Sequence, residues 1–141
     1  MILSKIGYLN SNIKQALPLY SDVYAGFPSP AEDHMDLKLD LNEFLVKHPA
    51  ATFYVYAKGD SMINAGIYDG DLLIVDRALK PELKSIVIAI IDGEFTVKKI
   101  KKINDMLYLV PDNGSYKPIR ITKDMNFEIW GVVTHTIHKP K

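Results

Sequence analysis

Residues 86–103 read IVIAIIDGEFTVKKIKKI, the clearest β signal in the chain. Two runs rich in Val and Ile flank Asp92-Gly93, a strong two-residue turn signal, so the segment predicts a β-hairpin. With that turn, Ile91 faces Glu94 and Lys98 faces Val87. Lys98 then shares a face with Val87, Ala89, Thr96 and Ile100, which is largely apolar. The opposite face carries Ile86, Ile88, Phe95 and Val97 and is apolar too. Alternation therefore does not choose between Lys98 and Lys99 as the lysine drawn into an apolar environment.

Further short strands are predicted in ATFYVYAKG (51–59), DLLIVDRAL (71–79), MLYLVP (106–111) and NFEIWGVVTHTIH (126–138). LDLNEFLVKHP (39–49) predicts a short helix, with Asp40 as N-cap, Glu43 three residues on and Pro49 as its end. Residues 1–24 show no sustained period. The AGFPSPAED segment is held extended by Pro28 and Pro30. The chain thus divides into an extended N-terminal arm, 1–40, and a mainly β domain of short strands, 41–141. No internal repeat or low-complexity tract is present.

The chain has 141 residues, with 17 Lys+Arg against 17 Asp+Glu, and its net charge is zero. A protein that binds nucleic acid by itself carries a basic balance or stripe. Here the only basic cluster is Lys98, Lys99, Lys101 and Lys102, so direct DNA binding is not expected. Cysteine is absent, which removes disulfides, thiolate nucleophiles and Cys-ligated metals. The longest aliphatic run, Ile86 to Ile91, is far shorter than the ~20 residues of a membrane span. The start, MILSKIGYLN, is unlike a secretory signal, and a cytoplasmic location is expected.

Three places fit one chemistry. In KGDSMINAG, Ser61 follows a strand, and Gly59 permits a sharp turn. A serine at a strand-to-helix turn exposes its hydroxyl beside backbone N–H groups able to bind an oxyanion. On spacing alone, Ser61 reads instead as a helix N-cap. Lys98 is the second. An apolar setting disfavours the ammonium and lowers the lysine pKa. Moving it from ~10.4 to ~7.5 takes roughly 4 kcal/mol, after which neutral lysine can serve as general base toward a serine. Taken alone, it reads as a solvated strand-edge lysine. The third is Ala25-Gly26, at the start of the extended segment. Glycine leaves room for close backbone approach, as a protease substrate requires, though by itself this is an ordinary linker.

Together these resemble the LexA/UmuD family of self-cleaving serine peptidases. FPSPAED, LDLNEFLVKHPAATFYV, GDSM, DGDLLIVD, DGEFTVKK and WGVVTH resemble segments of that family in the expected order, from about Gly26 to the C-terminus. The separation of 37 residues between Ser61 and Lys98 also suits it. The resemblance implies a LexA-like C-terminal peptidase domain with Ser61 as nucleophile and Lys98 as general base. It implies backbone N–H groups of Asp60 and Ser61 as the oxyanion site, and Ala25-Gly26 as the self-cleavage bond. No cofactor or metal is implied. It further implies a homodimer in the bacterial DNA-damage (SOS) response. A RecA filament on single-stranded DNA would stimulate its cleavage, and the trimmed product would join a Y-family, UmuC-like DNA polymerase subunit for translesion synthesis.

Other candidates fare worse. Asp60, Asp69, Asp71 and Asp76 lack the spacing of a Ca²⁺ loop, and DGD reads as a turn into a strand. His34, His48, His135 and His138 are scattered. A LexA-type repressor would need a helix-turn-helix before the bond, yet 25 residues precede Gly26, and only Lys5 and Lys14 among them are basic. A signal peptidase would need a membrane anchor. From another class, a non-cleaving regulatory binding module of the same fold would be expected to have lost Ser61 or Lys98.

Overall fold

A computed structural model describes residues 2–8, 15–20 and 35–141 of the chain. The strands are β1 (Ile2–Tyr8), β2 (Ala16–Tyr20), β3 (Met35–Asp40), β4 (Thr52–Lys58) and β5 (Leu72–Asp76). They continue as β6 (Ile86–Ile91), β7 (Glu94–Ile103), β8 (Met106–Val110), β9 (Ile119–Arg120) and β10 (Phe127–Ile137). The chain forms two compact units, residues 1–9 with 48–141, and residues 10–47.

In the smaller unit, β2 and β3 pair antiparallel, with Ala16 opposite Asp40. Pro18 lies in β2, where a two-stranded ribbon leaves one edge free of ladder bonds. The helix predicted over 39–49 is shorter. Pairing with β2 carries the chain extended through Asp40, and α1 spans only Leu41–Leu45. Asp40 caps it as expected: Oδ1 accepts from Asn42 N at 2.9 Å and Glu43 N at 3.4 Å. Its Oδ2 accepts from Gln15 N at 2.8 Å, so one carboxylate serves both helix and ribbon.

The larger unit is one eight-stranded sheet in the order β1-β4-β5-β10-β6-β7-β8-β9, antiparallel throughout. The β6–β7 hairpin has the predicted register, with Val87 opposite Lys98 and Ile91 opposite Glu94. Asp92 and Gly93 both take positive φ, 49° and 85°, as a turn matching the strand twist requires. β1 pairs with β4, with a register shift between Leu3 and Lys5. Such an irregularity breaks strict alternation, which explains why no period was legible in the first residues.

The core lies on both faces of the hairpin. Ile88 and Val97 pack with Val55, Ala57, Met62, Ile67, Leu73 and Val75. Val87, Ala89 and Ile100 pack with Leu109 and Val132. β10 joins the two halves of the sheet: Phe127–Val132 pair with β6, and Val132–Ile137 pair with β5. Its register shifts between Ile129 and Gly131 and again between Val133 and His135. A Cβ at Gly131 would lie 2.6 Å from Val75 Cγ1 and 3.3 Å from Arg77 Cγ, so only glycine lets the strands approach this closely. Among the described residues, no helix is long and apolar enough to cross a membrane.

Candidate active site

Ser61 is placed by the end of β4. Gly59 takes φ 99°, a left-handed conformation that glycine adopts without strain, and its N–H donates to Asp69 Oδ1 at 2.7 Å. The chain then enters a 3₁₀ turn, Ile63–Ala65. Met62, not Ser61, holds the N-cap position, and no side chain caps the turn. The capping role that spacing favoured for Ser61 is therefore absent. Ser61 is instead buried, 1% exposed, behind Met62, which anchors the segment in the core.

Lys98 comes from the other half of the sheet. It lies on the Val87–Ala89 face of β7 and is 6% exposed. Its Nζ has three acceptors: Thr96 Oγ1 at 2.9 Å, Val97 O at 3.2 Å and Ser61 Oγ at 3.4 Å. Burial strips water from the ammonium and lowers its pKa below the ordinary 10.5. Lys99 points to the other face, where it pairs with Asp112 Oδ2 at 3.0 Å, half-exposed. The fold thus brings Lys98, and not Lys99, to Ser61.

Asp60 is held on two sides. Its carbonyl accepts from Asn113 Nδ2 at 2.8 Å and from Ile63 N at 3.2 Å. Its carboxylate accepts from the Tyr116 hydroxyl at 2.6 Å, which pushes the Tyr116 pKa up, because losing the proton would set two anions side by side. Beside Lys98 opens a cleft of about 530 Å³, lined by Phe95, Thr96, Tyr116, Lys117 and Ile119 among others. Residues 94–96 and Lys98 of β7 form one wall of it. Ala25-Gly26 lies outside the described residues.

Thr96, Asn113 and Tyr116 were not singled out from the sequence. Thr96 had a signal: it lies two residues before Lys98 on the same strand face. Asn113 and Tyr116 had none beyond a turn-like PDNGS, since their partner is 50 residues or more away. The other acidic residues serve turns. Buried Asp71 accepts from Tyr68 N at 2.8 Å and Thr136 Oγ1 at 3.2 Å, and lies 2.6 Å from His138 Nδ1. Asp76 accepts from Ala78 N at 2.8 Å and lies 2.6 Å from His48 Nδ1. Among the described residues, no group of three His, Asp or Glu is placed to hold a metal.

A buried serine and lysine in contact, with a cleft beside the lysine, can transfer a proton and attack a carbonyl. Comparison with known proteins agrees in class. Residues 18–134 match the family model described as Peptidase S24-like. The chain is 48% identical over 126 residues to Protein ImpA of Salmonella typhimurium, covering 88% of this chain and 85% of ImpA. It is 42% identical over 124 residues to Protein MucA of Escherichia coli, covering 86% and 84%. To the LexA repressor of Oleidesulfovibrio alaskensis it is 42% identical over 118 residues, covering 84% of this chain but 56% of the repressor.

Proposed function

Because this chain belongs to the Peptidase S24-like family, the LexA/UmuD serine peptidases of the SOS response, we propose that it cuts itself at Ala25-Gly26. In this reading residues 1–40 are the arm that delivers the bond and 41–141 the peptidase domain. The observation that carries it is the buried Lys98 Nζ, 3.4 Å from Ser61 Oγ.

Lys98 first loses its own proton, which burial favours. Its lone pair takes the Ser61 proton as Oγ attacks the Ala25 carbonyl carbon. The oxyanion rests on the N–H groups of Asp60 and Ser61. Collapse of the tetrahedral intermediate breaks the Ala25–Gly26 bond, and Lys98 passes its proton to the Gly26 amine. Neutral again, Lys98 draws a proton from water, whose oxygen attacks the ester. Breaking the ester frees residues 1–25 and returns a proton to Ser61. Because the bond is part of the same chain, its effective concentration replaces a specificity pocket.

The product, 26–141, is a homodimeric accessory subunit of a Y-family translesion polymerase in the cytoplasm. A RecA filament on single-stranded DNA stimulates the cut, with no DNA contact by this chain. The test is intact-mass measurement after incubating the pure chain at alkaline pH, and separately with a RecA–single-stranded DNA filament. A product beginning at Gly26 is expected under both conditions. No product, or a cut at another bond, overturns the reading.

A further inference from the structure

The 112–116 turn is stapled to the turn that carries Ser61. Asn64 N donates to Asp112 O at 2.8 Å, and Asp112 N donates to the Met62 sulfur at 3.4 Å. Asn113 Nδ2 and Tyr116 OH then grip Asp60 by its carbonyl and its carboxylate, at 2.8 Å and 2.6 Å. The turn is itself ordered: Ser115 N donates to Asn113 Oδ1 and Tyr116 N to Asn113 O, both at 3.1 Å. Lys99, beside Lys98 on β7, fixes Asp112 Oδ2 at 3.0 Å.

We propose that Asn113 and Tyr116 are positioning residues that lock the Asp60–Ser61 peptide with its N–H turned toward the oxyanion. A carbonyl oxygen has two lone-pair directions, and here Asn113 and Ile63 take both. The Asp60–Ser61 peptide is trans, so its N–H points opposite to its carbonyl. Rotating this peptide to turn the N–H aside would break both bonds at once. Tyr116 does a second task. Asp60 carries a negative charge next to the place where negative charge develops, and a phenol donating to Oδ1 draws that charge to the cleft wall. The same bond holds the phenol proton more tightly, because losing it would set a phenolate beside the Asp60 carboxylate.

This inference rests on the self-cleavage proposed above, and the test separates the two. The full chain and its Asn113→Ser and Tyr116→Phe variants are compared as rate-against-pH profiles of Gly26 product, each well below its melting temperature. Serine retains a side-chain acceptor for the turn but is too short to reach Asp60 O, and phenylalanine lacks only the hydroxyl. The plateau rate should fall about 10- to 100-fold in Asn113→Ser and about 3- to 10-fold in Tyr116→Phe, below the ~10²–10³ for deleting an oxyanion donor outright. The midpoint of the profile should stay within 0.3 pH of the parent, on the order of 0.4 kcal/mol. Plateaus within twofold of the parent, or a loss that comes with a moved midpoint, overturn the inference and leave self-cleavage standing. If Asn113→Ser does not fold, Tyr116→Phe decides by the same criteria. A parent that makes no Gly26 product overturns the self-cleavage reading itself.

Discussion

Thr96 Oγ1 lies 2.9 Å from Lys98 Nζ, closer than the Ser61 oxygen at 3.4 Å. Both residues project from the same face of β7, two positions apart. An ammonium has three N–H groups, and Thr96, Val97 O and Ser61 accept all three. When one proton leaves, the shorter contacts to Thr96 and Val97 retain the remaining two. The lone pair is then left facing Ser61, the orientation a base needs. The contact to Ser61 is long for a hydrogen bond, as is common before substrate tightens a site.

Replacing Thr96 with valine keeps the shape and the strand propensity but removes the acceptor. One N–H of neutral Lys98 then has no fixed partner, and the lone pair turns freely. The self-cleavage rate should fall about tenfold, less than the ~10²–10⁴ that a positioned general base contributes, because the base itself remains. A Thr96→Val rate equal to the parent's would show that Thr96 does not orient the amine.

Ser61→Ala and Lys98→Ala should each reduce self-cleavage by at least about 10³-fold, because members of a nucleophile–base unit are not independent. The double variant should be no slower than either single one. Intact mass over a day at alkaline pH checks this. Appreciable Gly26 product from Ser61→Ala would assign the chemistry to another nucleophile.

The cleavage rate should rise with pH, tenfold per unit at first, and level off below pH 10.5. In the proposed mechanism the base is the neutral amine, and burial lowers the Lys98 pKa from that ordinary value. A rate that is flat from pH 7 to 10 would count against a lysine base.

Lys98→Met should be more stable to urea than the parent at pH 7, by on the order of 1 kcal/mol. The lowered pKa means that the folded chain holds this proton less tightly than the unfolded chain does. The burden of the buried ammonium is complete below the folded pKa. It shrinks as pH climbs toward the unfolded value of 10.5, so parent stability should gain on the variant across that window. Parallel stability curves for the two proteins would contradict the burial of charge at this position.

Gly131→Ala should destabilise the fold by about 1–3 kcal/mol, since the new methyl meets Val75 at 2.6 Å with sheet backbone on both sides. Thermal unfolding by circular dichroism should show a melting temperature lower by several degrees. An unchanged melting temperature would mean that the bulge in β10 opens without resistance.

Much of this was legible in a few residues. Asp92-Gly93 set the hairpin turn, and the turn set the register that places Lys98 opposite Val87. The choice between Lys98 and Lys99 was not legible from alternation, because Ile88 and Val97 on one face and Val87 and Ala89 on the other are all fully buried. A strand covered on both faces has no polar side to read. The family resemblance made that choice, and the structure brings the same lysine to Ser61. The N-cap reading of Ser61 failed because a cap is a local feature, whereas burial of Met62 and contact with Lys98 arise from distant strands. The grip of Asn113 and Tyr116 on Asp60 was invisible for the same reason: sequence patterns report neighbours along an element, and these partners meet only when β7, β8 and the following turn have folded back.

The strand that joins the two half-sheets, β10, follows every other strand in chain order. Ser61 sits at the end of β4 on one side of it and Lys98 in β7 on the other. A ribosome adding ~5–20 residues per second therefore makes both residues seconds before β10 can pair with β5 and β6 and complete the sheet. The sheet that holds both residues is therefore completed by one of the last segments of this sequence to be made.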